Sequence, residues 1–168
     1  MMINRKRDKT PDNSITRMPR TLESTVFELL TLMLIIVLWA VAVLAYSHAP
    51  EVIPVHFDVK GNANGYESPV SLLMVAAIGT LISGLMLAAA YAPKQKSKMG
   101  SKINNYAQMV VVARMLRVMA VLLVTLFICI EVMMSQPDAR IPKILTVVLV
   151  ALIMATPIAG AIAVSCKR

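Results

Sequence analysis

The sequence is poor in charged residues, and this shortage already excludes most soluble proteins. Only 15% of its 168 residues are Asp, Glu, Lys or Arg, whereas 58% are hydrophobic. Soluble domains average about 25% charged and about 45–50% apolar residues. A soluble domain of this length could not bury four long apolar runs. The composition therefore predicts a membrane protein.

Cysteine is also scarce. The two cysteines, Cys129 and Cys166, lie within or at the edge of apolar runs whose ends we place near opposite membrane faces. A disulfide joins Cα atoms about 4.4–6.8 Å apart, whereas this pair would have to span most of a bilayer. We expect two free thiols that behave as small hydrophobic side chains, and no redox chemistry.

The motifs of the common catalytic classes are missing. The chain has no Ser-His-Asp or Cys-His order, no Walker-type phosphate loop and no dinucleotide glycine pattern. Residues 61–65 (GNANG) contain glycines, but no buried strand and helix start flank them that could aim amides at a phosphate. We expect a non-enzymatic protein that uses no cofactor.

Four apolar runs are each long enough to cross a bilayer, since about 20 helical residues span about 30 Å. The helices are predicted at about residues 25–47, 70–92, 106–134 and 142–166. With short connections they predict an all-α, up-and-down transmembrane bundle over residues 23–168, preceded by a disordered basic tail at residues 1–22. The first helix is expected to remain as a signal anchor, because Pro50 follows the best cleavage site.

The net charge of +8 is explained by membrane topology. Lys and Arg stand at the ends of apolar runs with few aromatic residues among them, so nucleic acid is not an expected partner. The tail, the loop at 93–102 and the C-terminus hold six, four and two of these cations, against three on the opposite side. The positive-inside rule then predicts cytoplasmic termini and residues 50–68 outside. We expect the membrane to be a bacterial plasma or inner membrane.

Small residues recur at intervals of four in two of the predicted helices, which lets neighbouring helices approach closely. We expect the second helix to be the packing hub of the bundle. We expect the fourth helix, kinked at Pro157, to pack through its alanines. The residues concerned are Ala76, Thr80, Gly84 and Ala88, with Gly79 and Ser83, in the second helix, and Ala151, Ala155, Ala159 and Ala163 in the fourth.

Four charged residues lie near the ends of the predicted spans: Glu28, Arg114, Arg117 and Glu131. They are too few for an evident ion or proton relay. Glu28 is predicted to reach the membrane interface or to pair with a neighbouring cation. Arg114 lies deep if the third span starts near residue 106, and becomes a functional candidate. It is interfacial if the span starts near Arg117, the alternative that we favour because residues 118–134 nearly suffice to cross the membrane.

The polar segment at residues 48–69, between the first two helices, has a pattern of its own. Its β-branched residues and prolines favour extended chain, and Gly61 and Gly65 flank an Asn-Ala-Asn turn signal. We predict an ordered extracytoplasmic loop formed by an extended arm, a turn and an aromatic stop. His48 and His56 allow a zinc or copper site as a weak alternative, although their spacing fits no standard ligand set.

This loop resembles the signature of the domain of unknown function 1648 family. In residues 50–68, PEVIPVHFDVKGNANGYES, nine positions match in order and spacing: Pro50, Ile53, Pro54, His56, Phe57, Gly61, Gly65, Tyr66 and Ser68. The sequence departs from the signature at Ala49, Asp58, Ala63, Asn64 and Pro69, where the family has Leu, Asn, Pro, Asp and Lys. Since that lysine and aspartate are absent, the charged contacts that they could make are not carried over.

The resemblance implies a function in recognition. Relatives in this family include immunity proteins against a sporulation-delaying toxin, which are multispan membrane proteins that protect a cell from a secreted peptide and signal to a cytoplasmic repressor. It implies a peptide ligand outside, a cytoplasmic regulator inside and a binding role for the matching residues from Pro50 to Tyr66. The alternative is a small membrane subunit of an export or transport system, docked through its small-residue helix faces.

Overall fold

The computed structural model describes residues 20–58, 61–91, 106–138 and 140–166. The elements of this described part are α1 (Leu22–Ser47), β1 (Ile53–Phe57), β2 (Ala63–Glu67), α2 (Val70–Ala89), α3 (Tyr106–Ser135) and α4 (Arg140–Ser165). All four helices are long and apolar enough to cross a membrane, which confirms the predicted four-helix membrane bundle. The predicted tail up to residue 19 and the loop at 93–102 lie outside the described residues.

The first helix begins at Leu22, earlier than the predicted residue 25, because Thr21 caps it. Thr21 Oγ1 accepts a hydrogen bond from the backbone N of Ser24 at 3.1 Å, and Ser24 Oγ accepts one from the backbone N of Thr21 at 2.9 Å. This reciprocal capping box satisfies amide groups that a helix start leaves without an internal partner. The apolar run and its polar cap together therefore define where α1 begins.

The core of the bundle centres on α3, which packs against each of the other three helices. In α3, 33% of the apolar span is buried, compared with 22% in α2 and 11% in α4. The prediction that α2 is the packing hub is therefore wrong. Small residues allow close approach between helices, but they do not determine which helix occupies the centre.

The small residues of α2 do pack within the chain, as predicted. Ala76, Gly79 and Ser83 are buried, and a Cβ added at Gly79 would come within 2.7 Å of Cγ of Phe127 on α3. Ala76 belongs to a mid-bundle cluster of fully buried residues, with Leu38, Ala42 and Val124. In addition, Trp39 Nε1 donates a hydrogen bond to Thr80 Oγ1 at 3.0 Å and so joins α1 to α2.

The fourth helix packs on α3 through a different face from the one predicted. Its buried residue is Leu149, and Gly160, three turns later on the same face, contacts Met115. Ala151 and Ala155 are exposed, as is Ala159. Since residues two positions apart lie about 200° apart round a helix, Ala151 points away from α3. The predicted packing role is wrong for the three exposed alanines, whereas Ala163, the last of the predicted set, is half-buried.

The two strands form an antiparallel hairpin, in which Ile53 pairs with Glu67 and Pro54 with Tyr66. This hairpin occupies the segment predicted as a loop, beside the four helices of the predicted all-α bundle. The turn between the strands is closed by Asp58, whose Oδ1 accepts a hydrogen bond from the backbone N of Asn62 at 2.8 Å. The predicted extended arm corresponds to β1, whereas the Asn-Ala-Asn segment predicted as a turn mostly lies in β2.

Candidate functional site

An apolar cluster fixes the hairpin on the bundle. Ile53 of β1, Leu72 of α2 and Met134 of α3 are almost completely buried together, and Ala45 and Ile130 are among the residues that pack against them. We call this end of the bundle the hairpin end, and the opposite end, where α1 begins, the tail end. A two-stranded hairpin alone is marginally stable in water. Its fixed position therefore depends on this apolar cluster.

The two glycines of the motif are required by the shape of the hairpin. Gly61 has φ +80°, in the left-handed region that favours glycine, and a Cβ there would lie 2.9 Å from Cδ of Lys143. A Cβ at Gly65 would lie 2.8 Å from Cδ2 of His56, which faces it across the strands. These positions let the hairpin turn tightly and approach α4.

A cleft of about 440 Å³ separates β1 and the turn from the ends of α3 and α4, and we call it the hairpin cleft. The apolar side chains of Ile130 and Met133 form part of its wall, and His56, Asp58 and Lys143 bring polar groups to it. The cleft is lined by residues of three elements, which include Val55, His56, Phe57 and Gly61 of the hairpin, Ile130 and Met133 of α3, and Lys143 of α4. Segments far apart in sequence thus build one concave surface.

A second cleft, of about 580 Å³, lies on another side of β1 and is lined by Pro50, Ile53 and Pro54, so we call it the proline cleft. His48, Leu72 and Met134 also line it. The predicted binding residues are therefore not gathered at one site. His56, Phe57 and Gly61 line the hairpin cleft, whereas Pro50, Ile53 and Pro54 line the proline cleft. Gly65 lies against the side chain of His56. Tyr66 is 62% exposed and lines neither cleft.

The two histidines offered as metal ligands also lie apart, one in each cleft. His48 Nδ1 is 2.9 Å from both the backbone O of Leu44 and Oγ of Ser47, so local groups at the end of α1 occupy it. Among residues 20–58, 61–91, 106–138 and 140–166, no group of three or more His, Cys, Asp or Glu side chains could hold a metal ion. Both Cys129 and Cys166 are free thiols, as predicted.

At the tail end, an ion pair joins α1 to α3. Arg114 Nη2 donates to Glu23 Oε2 at 2.6 Å, and Arg114 Nε donates to the other carboxylate oxygen. Glu23 lies in the first turn of α1, so Arg114 is level with the end of that span rather than with its middle. This placement favours the interfacial alternative for Arg114.

A second polar bridge at the tail end joins three helices and was only partly foreseen. Glu28 of α1 accepts a hydrogen bond from the hydroxyl of Tyr91, just beyond α2. The guanidinium carbon of Arg117 on α3 lies 5.0 Å from the centre of the Tyr91 ring, and the Arg117 side chain is buried, with a relative exposure of 6%. Glu28 therefore contacts a tyrosine rather than a cation, which was one of its two predicted alternatives, and the cation of Arg117 stacks on the same tyrosine.

Glu131 is the charged residue whose placement differs most from expectation. The sequence places it near the end of α3, where a carboxylate could reach water, but the side chain has a relative exposure of 0%. Neither carboxylate oxygen has a hydrogen-bond partner among the described residues. A glutamate one turn from a helix end carries no sequence signal for such burial, because the burial comes from the elements that pack on α3.

Comparison with known protein families gives a match to the part of the chain that carries the hairpin. No curated protein and no solved structure matches the chain. The family described as Domain of unknown function (DUF1648) matches residues 33–80, which run from α1 through β1 and β2 into α2 and include all the predicted binding residues. This match confirms the resemblance found in the loop. The chain is thus an integral membrane protein whose residues 33–80 match the DUF1648 family.

Proposed function

We propose that this protein is a non-enzymatic membrane protein of the immunity type, which recognises a peptide toxin at the hairpin cleft. The observation that carries the proposal is that His56, Phe57 and Gly61, all part of the family motif, line one cleft together with α3 and α4. Its volume of about 440 Å³ falls in the range of about 300–1,000 Å³ typical of ligand sites. Apolar walls with a few polar groups fit an apolar peptide segment.

The hairpin also offers a backbone surface for such a segment. The sheet of the described residues has two strands, so β1 keeps one edge without a strand partner. Extended peptides bind by adding a strand to an edge of this kind, with side-chain pockets supplying specificity. Pro54 has no backbone N–H to donate to such a strand, whereas His56, beside the hairpin cleft, has one.

A survival assay tests this proposal. Cells that produce the protein are exposed to a panel of secreted peptide toxins, and the concentration that halves survival is measured. His56→Ala should lower protection at least ten-fold at unchanged protein level. The matched control is His48→Ala, the same change at the same end of the bundle but in the proline cleft, which should keep protection. Equal protection by both variants, or no protection by the unaltered protein, contradicts the proposal.

The proposed orientation places the hairpin outside the cell and both termini in the cytoplasm. It is supported by the twelve Lys and Arg residues of the tail, the 93–102 loop and the C-terminus, against three on the opposite side. A cysteine at Asn62, in a chain with Cys129→Ser and Cys166→Ser, should react with an impermeant thiol reagent on intact cells. Reaction only after permeabilisation would mean that the orientation is reversed.

A second candidate function is a small subunit of an export or transport system. It is favoured by three exposed alanines of α4, Ala151, Ala155 and Ala159, which the described residues leave uncovered. Purification in mild detergent should then yield a stoichiometric partner that Ala155→Leu removes. Ala161→Leu, on another exposed side of α4, serves as the control and should retain the partner. Recovery of the chain alone counts against this function.

A further inference from the structure

The side chain of Glu131 is a buried carboxyl group that recognition at the hairpin cleft does not explain. It is completely inaccessible, and both of its oxygens lack a hydrogen-bond partner among the described residues. Most buried polar groups in proteins are hydrogen-bonded, so an exception calls for a specific cause. An ionisable residue inside a membrane span is by default a candidate for a functional role.

The position of Glu131 on α3 places it between two apolar clusters. Phe127, four residues earlier, packs in the mid-bundle cluster with Leu38. Met134, three residues later, packs in the cluster that holds Ile53 of β1. Because residues three and four positions apart share one face of a helix, Glu131 lies on the inward face of α3, beneath the point where the hairpin rests.

Both clefts reach the residues on either side of Glu131. Ile130 and Met133 line the hairpin cleft, whereas Val132 and Met134 line the proline cleft. The strand that packs on this part of α3 is β1. A movement of β1 away from α3 would therefore connect the carboxylate with a cleft that is already open to the surface.

We propose that Glu131 is a binding site for a positive charge, which β1 closes in this structure and opens to admit the ligand. The charge is either the ammonium group of an organic ligand or a small monovalent cation. An ionised carboxylate without a partner is strongly disfavoured in apolar surroundings, and a bound positive charge removes that penalty. The proposal does not require the ligand to be a peptide, and so it goes beyond the immunity function.

Thermal unfolding of the full chain in detergent micelles tests the binding. The midpoint is measured against increasing butylammonium chloride, sodium chloride and butanol. A ligand that binds only the folded state raises the midpoint. We expect butylammonium to raise the unfolding midpoint of the unaltered protein. The dissociation constant obtained from this rise should be at least ten-fold higher in Glu131→Gln. An equal response to sodium would identify a small cation as sufficient.

The matched control for this measurement is Glu67→Gln, which removes an exposed carboxylate at the same end of the bundle. It should respond like the unaltered protein. If butanol acts as strongly as butylammonium, the effect is apolar partitioning and the proposal fails. It also fails if the unaltered protein shows no response to either cation, or if Glu131→Gln responds as the unaltered protein does.

Opening of β1 is tested separately with cysteines in a chain that carries Cys129→Ser and Cys166→Ser. Glu131→Cys should react with a small water-soluble methanethiosulfonate at least ten-fold faster than Val124→Cys. Val124 is equally buried on the same face of α3 but lies two turns further from the hairpin. Equal rates at the two positions would show that β1 does not open at Glu131.

Discussion

Ionisable side chains have different surroundings at the two ends of the bundle. At the tail end, four charged side chains make contacts between helices: Arg114 pairs with Glu23, while Glu28 and Arg117 meet on Tyr91. The buried Nε of Arg117 itself has no hydrogen-bond partner among the described residues. At the hairpin end, an apolar cluster around Ile53 holds the structure together, and the carboxylate beneath it has no partner among the described residues. Directional polar contacts therefore join the helices at one end, and non-directional apolar packing covers a carboxyl group at the other.

This difference assigns different roles to the two ends. Hydrogen bonds and stacking have preferred distances and angles, so the tail end holds α1, α2 and α3 in one arrangement. Apolar packing depends mainly on the area removed from water, so the hairpin can shift at a smaller penalty. In the proposed opening, β1 moves while the tail end keeps the helices in register.

The largest effect is expected from Arg117→Ala at the tail end. The change removes a buried cation that stacks on Tyr91, which contributes about 2 kcal/mol when desolvated, and it leaves a cavity beside the ring. We expect the free energy of unfolding in mixed micelles, measured by titration with a denaturing detergent, to fall by about 2–3 kcal/mol. Arg140→Ala, at an exposed arginine of the hairpin end, should change it by less than about 0.5 kcal/mol. Similar losses in both variants would contradict a special role for Arg117.

At the hairpin end, Glu131→Leu is expected to change the free energy of unfolding in the opposite direction, that is, to stabilise the protein. Replacing a buried carboxylate that lacks partners by an apolar side chain of similar size should raise the free energy of unfolding by about 1–2 kcal/mol, because the desolvation penalty of the carboxylate disappears. Glu28→Leu is the matched change at the tail end. It leaves the Tyr91 hydroxyl without its acceptor and should lower the free energy of unfolding by about 1 kcal/mol. The same sign for both variants would remove the distinction between the two ends.

The sequence predicted the helices well and their packing poorly, for one physical reason. Long apolar runs determine which segments cross a membrane, so the four spans emerged close to their observed bounds. In lipid, an outward-facing side chain is as apolar as an inward-facing one, so no polar face marks the side that packs. For this reason Ala155 was assigned to the wrong face of α4, and α2 was taken for the hub instead of α3.

The candidate site was predictable only as far as local chain conformation extends. Prolines and glycines indicated an extended arm and a turn at the hairpin, because their backbone preferences act over a few residues. The hairpin cleft also needs Met133 and Lys143, which are far away in sequence. The burial of Glu131 likewise depends on the elements that pack on α3, and no pattern within α3 encodes that packing.

The smallest effect is expected from Glu23→Gln, which removes the ion pair with Arg114. The side chains of Arg114 and Glu23 are 55% and 41% exposed, and exposed pairs of this kind contribute about 0.2–1 kcal/mol. Salt at about 1 M shortens the screening length to about 3 Å. The difference in unfolding free energy between Glu23→Gln and the unaltered protein should therefore vanish there, whereas the loss in Arg117→Ala, a buried contact, should persist. If the Glu23→Gln difference survived high salt, the ion pair would belong with the buried contacts of the tail end. In that case both the Arg114–Glu23 pair and the contacts of Tyr91 would stabilise the tail end, and the difference from the hairpin end would not be due to the Tyr91 contacts alone.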